Sequence, residues 1–433
     1  MNRILRAGLI SMVAAVAAVA LYPMAVVAKA AAEIWQWLMP DEDRVPQYAL
    51  GANTLTNLIP AMYAGLNIVS REMVGFISAF TRNSTADRAA VGQQVLVPIA
   101  EVGDAEDITP GQNPANTGDA NIGNAPVVIT KAKAVPIRWN GEETLGMTNA
   151  GTYDQVIADQ FAEAIRKLVN LVEIDCAVAA KIASSRAYGT AGTPPFATAG
   201  DMSDLAQVMK ILDDNGAPSG RQLVVNSTSM ANLRGKMSNL FKADEAGTDE
   251  LLRTGLLTVP LQGAQLRYSG GIQTHTKGTG TGYLVNNASG IAVGGTTIAA
   301  DTGANTILAG DVVTFAADTG NKYIVGTALA AGSFAINKPG ARVAIPDNNA
   351  ITVGNSYLPN MVFSRNAFVL ATRAPALPRA GDAAIDSMML TDPISGLTFE
   401  VRVYAQYRQV KYEVCLAWGV NGVKPEHSAL LLG

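Results

Sequence analysis

The chain has 433 residues, 48% of them hydrophobic, enough length and apolar material for two or three domains. A formal net charge of -4, 32 Lys+Arg and no basic block exclude the clustered cations of a nucleic-acid groove. Only 16% of residues are charged, so much of the surface must be Ala, Gly, Thr, Asn and Ser, a bland exterior that partners often cover.

At the start, Arg3 and Arg6 precede an apolar run from Ala7 to Val27, and Ala28-Lys29-Ala30 has a small-x-small form. Residues Met1 to Ala32 therefore read as a secretory signal or a short membrane span. Two other readings stay open: a gene start set too far upstream, with Met39 as a candidate true start, and an amphipathic extension packing on a partner. From Asn53 to Phe80, Leu58, Ile59, Met62, Leu66, Val69, Met73, Phe76 and Ile77 recur at helical spacing, with Pro60 in a first turn. Arg82-Asn83-Ser84-Thr85 breaks that pattern.

From Val91 the period becomes two. Gln94 to Ile99 reads as a strand, and Val127 to Lys131 opens a second strand system running to Ile137. Between them Glu101 to Asn124 is polar, so the two strands make an extended hairpin arm with little core of its own, in need of a neighbour to lie on.

Thr152 to Arg186 carries the longest helix signal. Val156, Ile157, Phe161, Ile165, Leu168, Val169, Val172 and Ile182 recur at steps of three, four and seven, with Glu163, Lys167 and Lys181 mostly between them. The spacing predicts a rod of roughly 35 residues, on the order of 50 Å long, ended by Tyr188-Gly189 and Pro194-Pro195. Such a rod suits a scaffold better than the wall of an active site.

Met202 to Asp214 is a further helix, capped by Asp201 or Ser203, with Leu205, Val208, Met209 and Leu212 inward. Gly216-Ala217-Pro218 turns the chain into a short central strand, Arg221 to Val225, and Ser227 caps the next helix through Leu233. These parts build a compact α/β lobe, and Leu256 to Tyr268 reads as strand-turn-strand. Gly278 to about Gly354 differs in kind, being rich in Gly, Thr, Asn and Ala, with short β runs at 282–285, 290–293, 311–315, 322–325, 333–336 and 350–353. That predicts a small β-barrel or sandwich of about 75 residues inserted into another domain and able to fold by itself, if marginally. After Pro359 the outer pattern returns: Met361-Val362-Phe363, Ala367 to Ala371, and long antiparallel strands over Leu397 to Gln406 and Gln409 to Trp418.

Chemistry-bearing motifs are scarce. Phosphate-loop, Cys-x-x-Cys, His-Glu-x-x-His and Gly-x-Ser-x-Gly signatures are missing, and the want of any such constellation leaves an enzyme reading unsupported. Asp41-Glu42-Asp43, Glu142-Glu143 and Asp213-Asp214 read as solvated surface or caps, and Gly278-Thr279-Gly280-Thr281-Gly282 as a linker. Cys176 and Cys415 read as buried small hydrophobes, and His275 and His427 lie in turn-like polar contexts. No catalytic, cofactor-binding or metal residue is singled out.

The order of parts, a helical N-terminal arm, long hairpin, long helix, α/β lobe and returning strands, resembles the HK97-like fold of tailed-phage major capsid (coat) proteins. Ile211 to Asn226, Asn360 to Phe368 and Leu416-Ala417-Trp418-Gly419-Val420 are the phrases that strengthen it, over roughly Asn53 to Gly433. The inserted β segment resembles the insertion domain of the short-tailed-phage branch. The resemblance implies an α+β chain divided as follows: an N-terminal extension at 1–52, an N-arm at 53–90, an E-loop at 91–140 lying over an adjacent subunit, and a spine helix with peripheral domain at 141–200. An axial domain begins at 201–277, an inserted β-barrel occupies 278–355, and axial and peripheral strands finish the chain at 356–433. It implies self-assembly through pentamers and hexamers into an icosahedral shell around double-stranded DNA, without sequence-specific binding. Scaffolding and portal proteins would be partners, with no stable membrane partner and no cofactor, assembly in the host cytoplasm, and residence in the virion. Some relatives cross-link Lys to Asn; Lys131 and Lys133 lie in the expected hairpin, with no motif fixing a partner. The signal-like first 32 residues depart from this pattern and favour the alternative, a secreted or cell-surface β-rich adhesin-like protein.

Overall fold

The computed structural model describes residues 74–100, 110–111, 122–150, 153–237, 250–255, 257–379, 381–393 and 395–433. The expectations for Met1 to Ala32, for Asp41-Glu42-Asp43, and for most of Asn53 to Phe80 and Glu101 to Asn124 lie outside the described residues. In chain order the elements begin with α1 (Phe76–Ala79), β1 (Thr81–Ala89), β2 (Gln94–Ala100), β3 (Ile122–Val128), β4 (Lys131–Asn140), α2 (Gly141–Ala150), α3 (Tyr153–Ile182) and β5 (Arg186–Tyr188). They continue with α4 (Ser203–Asp214), β6 (Arg221–Val225), α5 (Ser227–Lys236), α6 (Glu250–Thr254) and β7 (Ala264–Tyr268). A run of short strands follows: β8 (Leu284–Val285), β9 (Thr297–Asp301), β10 (Val312–Phe315), β11 (Asp318–Ala330), β12 (Ser333–Ile336) and β13 (Ile351–Val353). The chain closes with β14 (Pro359–Ser364), β15 (Phe368–Pro375), β16 (Ala384–Thr391), β17 (Thr398–Gln406), β18 (Gln409–Gly422) and β19 (Ser428–Leu432).

Two sheets share the load. The first runs β1-β15-β18-β17-β16, with β4 on the other side of β18 in ten-residue register from Lys131↔Trp418 to Asn140↔Gln409. The long helix α3 packs across β18 and β4. Its buried face, Ile157, Phe161, Ile165, Leu168, Val169, Val172 and Cys176, follows the spacing legible in the sequence. Burial of each Ile, Leu, Val or Phe there contributes about 1.5–3 kcal/mol. Phe161 meets Tyr412 of β18 edge-on at 5.7 Å.

The second sheet runs β7-β6-β14-β19-β5-β11-β12-β9-β8, with β10 attached to β11 and β13 to β10. Its β6 end carries α4 and α5 over a core of Leu205, Val208, Leu212, Leu223, Val225, Met230 and Leu233. Its β11 end wraps a separate core that includes Tyr283, Ile298, Phe315, Tyr323, Phe334 and Ile351. A cluster of Phe76, Phe80, Phe363 and Phe368, with ring centroids 5.0–6.3 Å apart, locks α1 and the β14–β15 corner that joins the two sheets.

Several expectations need correction. The helix described from Tyr153 stops at Ile182, and Arg186 begins a strand. Tertiary bonds take over there: Ser185 Oγ donates to Ser428 O at 2.5 Å, and Asn337 Nδ2 donates to the Ile182 and Ser184 carbonyls at 2.7 Å each. Arg82 to Thr85 does end the helical pattern, and what the sequence did not show is that it forms part of β1, a polar strand held in parallel register by β15. Asn226, not Ser227, caps α5, its Oδ1 accepting the Ser229 N–H at 2.8 Å. Met202 occupies the cap position of α4, while the expected Asp201 accepts the Ser203 N–H from one residue further out. Within Leu256 to Tyr268 only β7 is a full strand, joined by a bridge from Leu261 to Ala264. The inserted segment shares its ladder with the rest: Lys322↔Ala187 and Tyr323↔Arg186 join β11 to β5.

Candidate functional site

Among the described residues, those that the sequence offers for chemistry mostly serve the structure. Glu143 and Asn140 form a reciprocal cap at the start of α2, Asn140 Oδ1 accepting the Glu143 N–H at 2.8 Å and Glu143 Oε2 the Asn140 N–H at 3.1 Å. Asp213 accepts from Arg221 Nη2 at 2.6 Å, and Asp214 lies 3.6 Å from Arg186 Nη2. The Gly278 N–H donates to both carboxylate oxygens of Asp311, and a β-bridge rather than a helix follows it. Cys176 and Cys415 are buried and free; burial pushes the Cys415 thiol up to about 12 and the Cys176 thiol well above its ordinary value. His427 is half-buried in a short turn, and burial lowers its pKa. His275 is not in a turn-like polar setting; it is buried against Asp311. Among the described residues no group of three or more His, Cys, Asp or Glu is arranged to hold a metal ion, and no helix is long and apolar enough to cross a membrane.

What the chain presents instead is an arm on a braced body. Among the described residues, strands β2 and β3 pair only with each other, from Gln94↔Val128 to Ala100↔Ile122. Period-two alternation sorts their side chains. Val95, Val97 and Val127 turn inward onto Ala89, Val369, Ala371 and Ala417, whereas Leu96 (57% exposed), Pro98, Pro126 and Val128 (37%) face out. The base is fixed by Gly92 N–H to Ile129 O at 2.8 Å, Ile129 N–H to Gln93 O at 2.9 Å, and Asn421 Nδ2 to Pro126 O at 2.8 Å. Here β18 needs a glycine: a Cβ on Gly419 would stand 1.9 Å from Val128 O.

Lys131 and Lys133 lie on β4, beyond the hairpin, because Thr130 N–H donates to Trp418 O and draws the chain onto β18. Lys131 Nζ sits 2.7 Å from Asp175 Oδ1 on α3, and the other Asp175 oxygen accepts Trp418 Nε1 at 2.8 Å. Lys133 is exposed on the same strand.

Two braces were not read from the sequence. Glu173, fully buried on α3, accepts N–H groups from Gly75, Phe76 and Ile77 and the Ser269 hydroxyl at 2.6–3.0 Å. Burial pushes its carboxyl up from the ordinary value, and those four donors pull it back. Arg186 ties β5 to β11 and to the end of α4, with Nη1 2.8 Å from Asn321 Oδ1 and Nη2 3.3 Å from Asn215 Oδ1. A signal existed for the first brace: Glu173 interrupts the apolar stripe beside Val169, Val172 and Cys176.

The chain is thus a mixed α+β protein with several sheets. No protein-family model matches it, and no curated protein matches it. Among solved structures it is similar to the capsid structure of the cyanophage P-SCSP1u, at 11% identity over 83% of this chain and 88% of that one, with a TM-score of 0.44. It is similar also to a structure of Mycobacterium phage Che8, at 13% identity over 81% and 94% of the two chains, TM-score 0.36. A third likeness is to a virus-like particle from Pyrococcus furiosus, at 12% identity over 87% and 97%, TM-score 0.36.

Proposed function

We propose that the chain is a major capsid subunit with an HK97-like fold, self-assembling into the icosahedral shell of a tailed double-stranded DNA bacteriophage and residing in the virion. The observation that carries this reading is the β2–β3 hairpin: anchored at its base, paired with no other strand among the described residues, and apolar on its outward face at Leu96, Pro98, Pro126 and Val128. An arm of that kind is marginal alone and gains stability by lying on a neighbour. On this reading α3 is the spine, β2–β3 the E-loop, the lobe around β6, α4 and α5 the axial domain, and 278–355 the inserted domain. Residues 53–90 would serve as the N-arm, behind an extension at 1–52. Weak contacts repeated around each capsomer add by multiplicity, so no single interface need be strong. Scaffolding and portal proteins would be the other partners, and the net charge of -4 suits a shell that encloses DNA without gripping it. The reading assigns no enzymatic role.

The test is a double substitution, Leu96→Asp with Val128→Asp, examined by sedimentation velocity and circular dichroism. The expected result is a folded subunit that no longer enters shell-sized particles. Assembly equal to wild type would refute the role given to the arm.

A further inference from the structure

Three side chains in a row tie the end of α3 to the inserted β segment. Lys181, in the last turn of the helix, places Nζ 3.1 Å from His275 Nδ1, and His275 Nε2 lies 2.8 Å from Asp311 Oδ1. Asp311 is fully buried, and its oxygens also accept the N–H groups of Gly278 at 3.1 Å and Leu308 at 2.7 Å. The His275 N–H donates to Tyr357 O at 2.8 Å, the two rings lie 5.3 Å apart, and the Tyr357 hydroxyl donates to Gly310 O. The tautomer follows from the partners. An ammonium only donates, so Nδ1 accepts, and the ring proton sits on Nε2 and donates to the carboxylate. A second ring proton would have to sit on Nδ1, pointing at a cation.

The groups facing the imidazole are few. Lys181 comes from α3, Asp311 from the turn before β10, and Tyr357 from the segment before β14. Burial holds the Tyr357 hydroxyl well above its ordinary value, so it stays neutral. Burial lowers the Lys181 ammonium and Asp311 raises it. Lys277, two residues away, turns its Nζ to Asn355 Oδ1 at 3.4 Å.

We propose that Lys181, His275 and Asp311 form a proton-operated clasp that ties the long helix to the inserted segment when His275 is neutral and releases Lys181 when the ring takes a second proton. The Asp311 bond survives protonation, because Nε2–H donates in both forms; only the link to the helix is lost. The clasp stands on this cluster alone and holds whether or not the chain builds a shell.

Hydrogen exchange of the full chain at about pH 7.5 and about pH 5, on either side of the ordinary imidazole range and corrected for intrinsic rates, reads it directly. Peptides covering 180–188 and 321–326 contain the helix end and the Ile324 N–H that donates to Ser185 O at 3.3 Å. In wild type these peptides are expected to lose about tenfold protection at the lower pH, while the β17–β18 ladder stays unchanged. His275→Gln should abolish the pH response. Lys181→Met, which removes the opposing cation without touching the ring, should flatten it too. Equal protection at both pH values in wild type, or a response undiminished in either variant, overturns the proposal.

Discussion

At the scale of single residues, buried polar groups stand where the backbone needs closing. Glu173 is the strongest case, because four donors converge on one buried carboxylate. Glu173→Gln would turn an amide NH2 toward groups that already donate. The expected cost is about 1–3 kcal/mol, seen as a lower midpoint in thermal or urea unfolding. An unchanged midpoint would mean that α1 is held by its phenylalanines alone. Gly419 is a steric case: Gly419→Ala drives a methyl into Val128 O and should cost about 1–3 kcal/mol unless the hairpin base shifts. Faster exchange at Thr130, whose N–H bonds Trp418 O, would reveal that shift. Glu173 was legible, as a carboxylate within an apolar stripe. Gly419 was not, since the clash involves a strand nearly three hundred positions away.

At the scale of elements, the sequence spoke wherever burial was one-sided. The stripe from Ile157 to Cys176 announced α3, and alternation announced β2, β17 and β18. It was silent where neighbours supply the structure. Strand β1 is Thr-Arg-Asn-Ser-Thr-Ala-Asp-Arg-Ala, with no alternation to find, and it is a strand because β15 offers it a parallel ladder. The Ser-Ala-Leu-Leu-Leu run of β19 is buried throughout and has no period at all. The helix end was misplaced for the same reason, because Ser185 answers to Ser428 and the last carbonyls to Asn337, both far along the chain. That sharing bears on the inserted segment. Deleting 279–354 removes the β11 partner of β5 and the Asn337 bonds to the helix end. Subunits that keep the outer fold but melt lower and assemble wrongly are expected, scored by calorimetry and particle sizing. Wild-type-sized particles with an unchanged melting point would show that the two ends of the sheet are independent.

At the scale of the whole molecule, two sheets are locked at one phenylalanine corner and crossed by a helix of 30 residues, about 45 Å long, so the body is stiff. The arm is the opposite: among the described residues it is one ladder, bonded at its base and laid on the body through Val95, Val97 and Val127, with an apolar face out. The mixed α+β class, the long helix and the closing strands could be read in the sequence, whereas the way the sheets share strands could not, since pairings such as β19 with β5 join distant segments. Stiff bodies with adhesive arms suit repeated, slightly varied contacts, and that is the central claim. The most direct test is negative-stain electron microscopy of the protein expressed from Met39, beside the full-length chain with its intact mass measured. Uniform closed shells are the predicted result. Soluble monomers, with the longer chain clipped near Ala30, would contradict it and point to an exported surface protein.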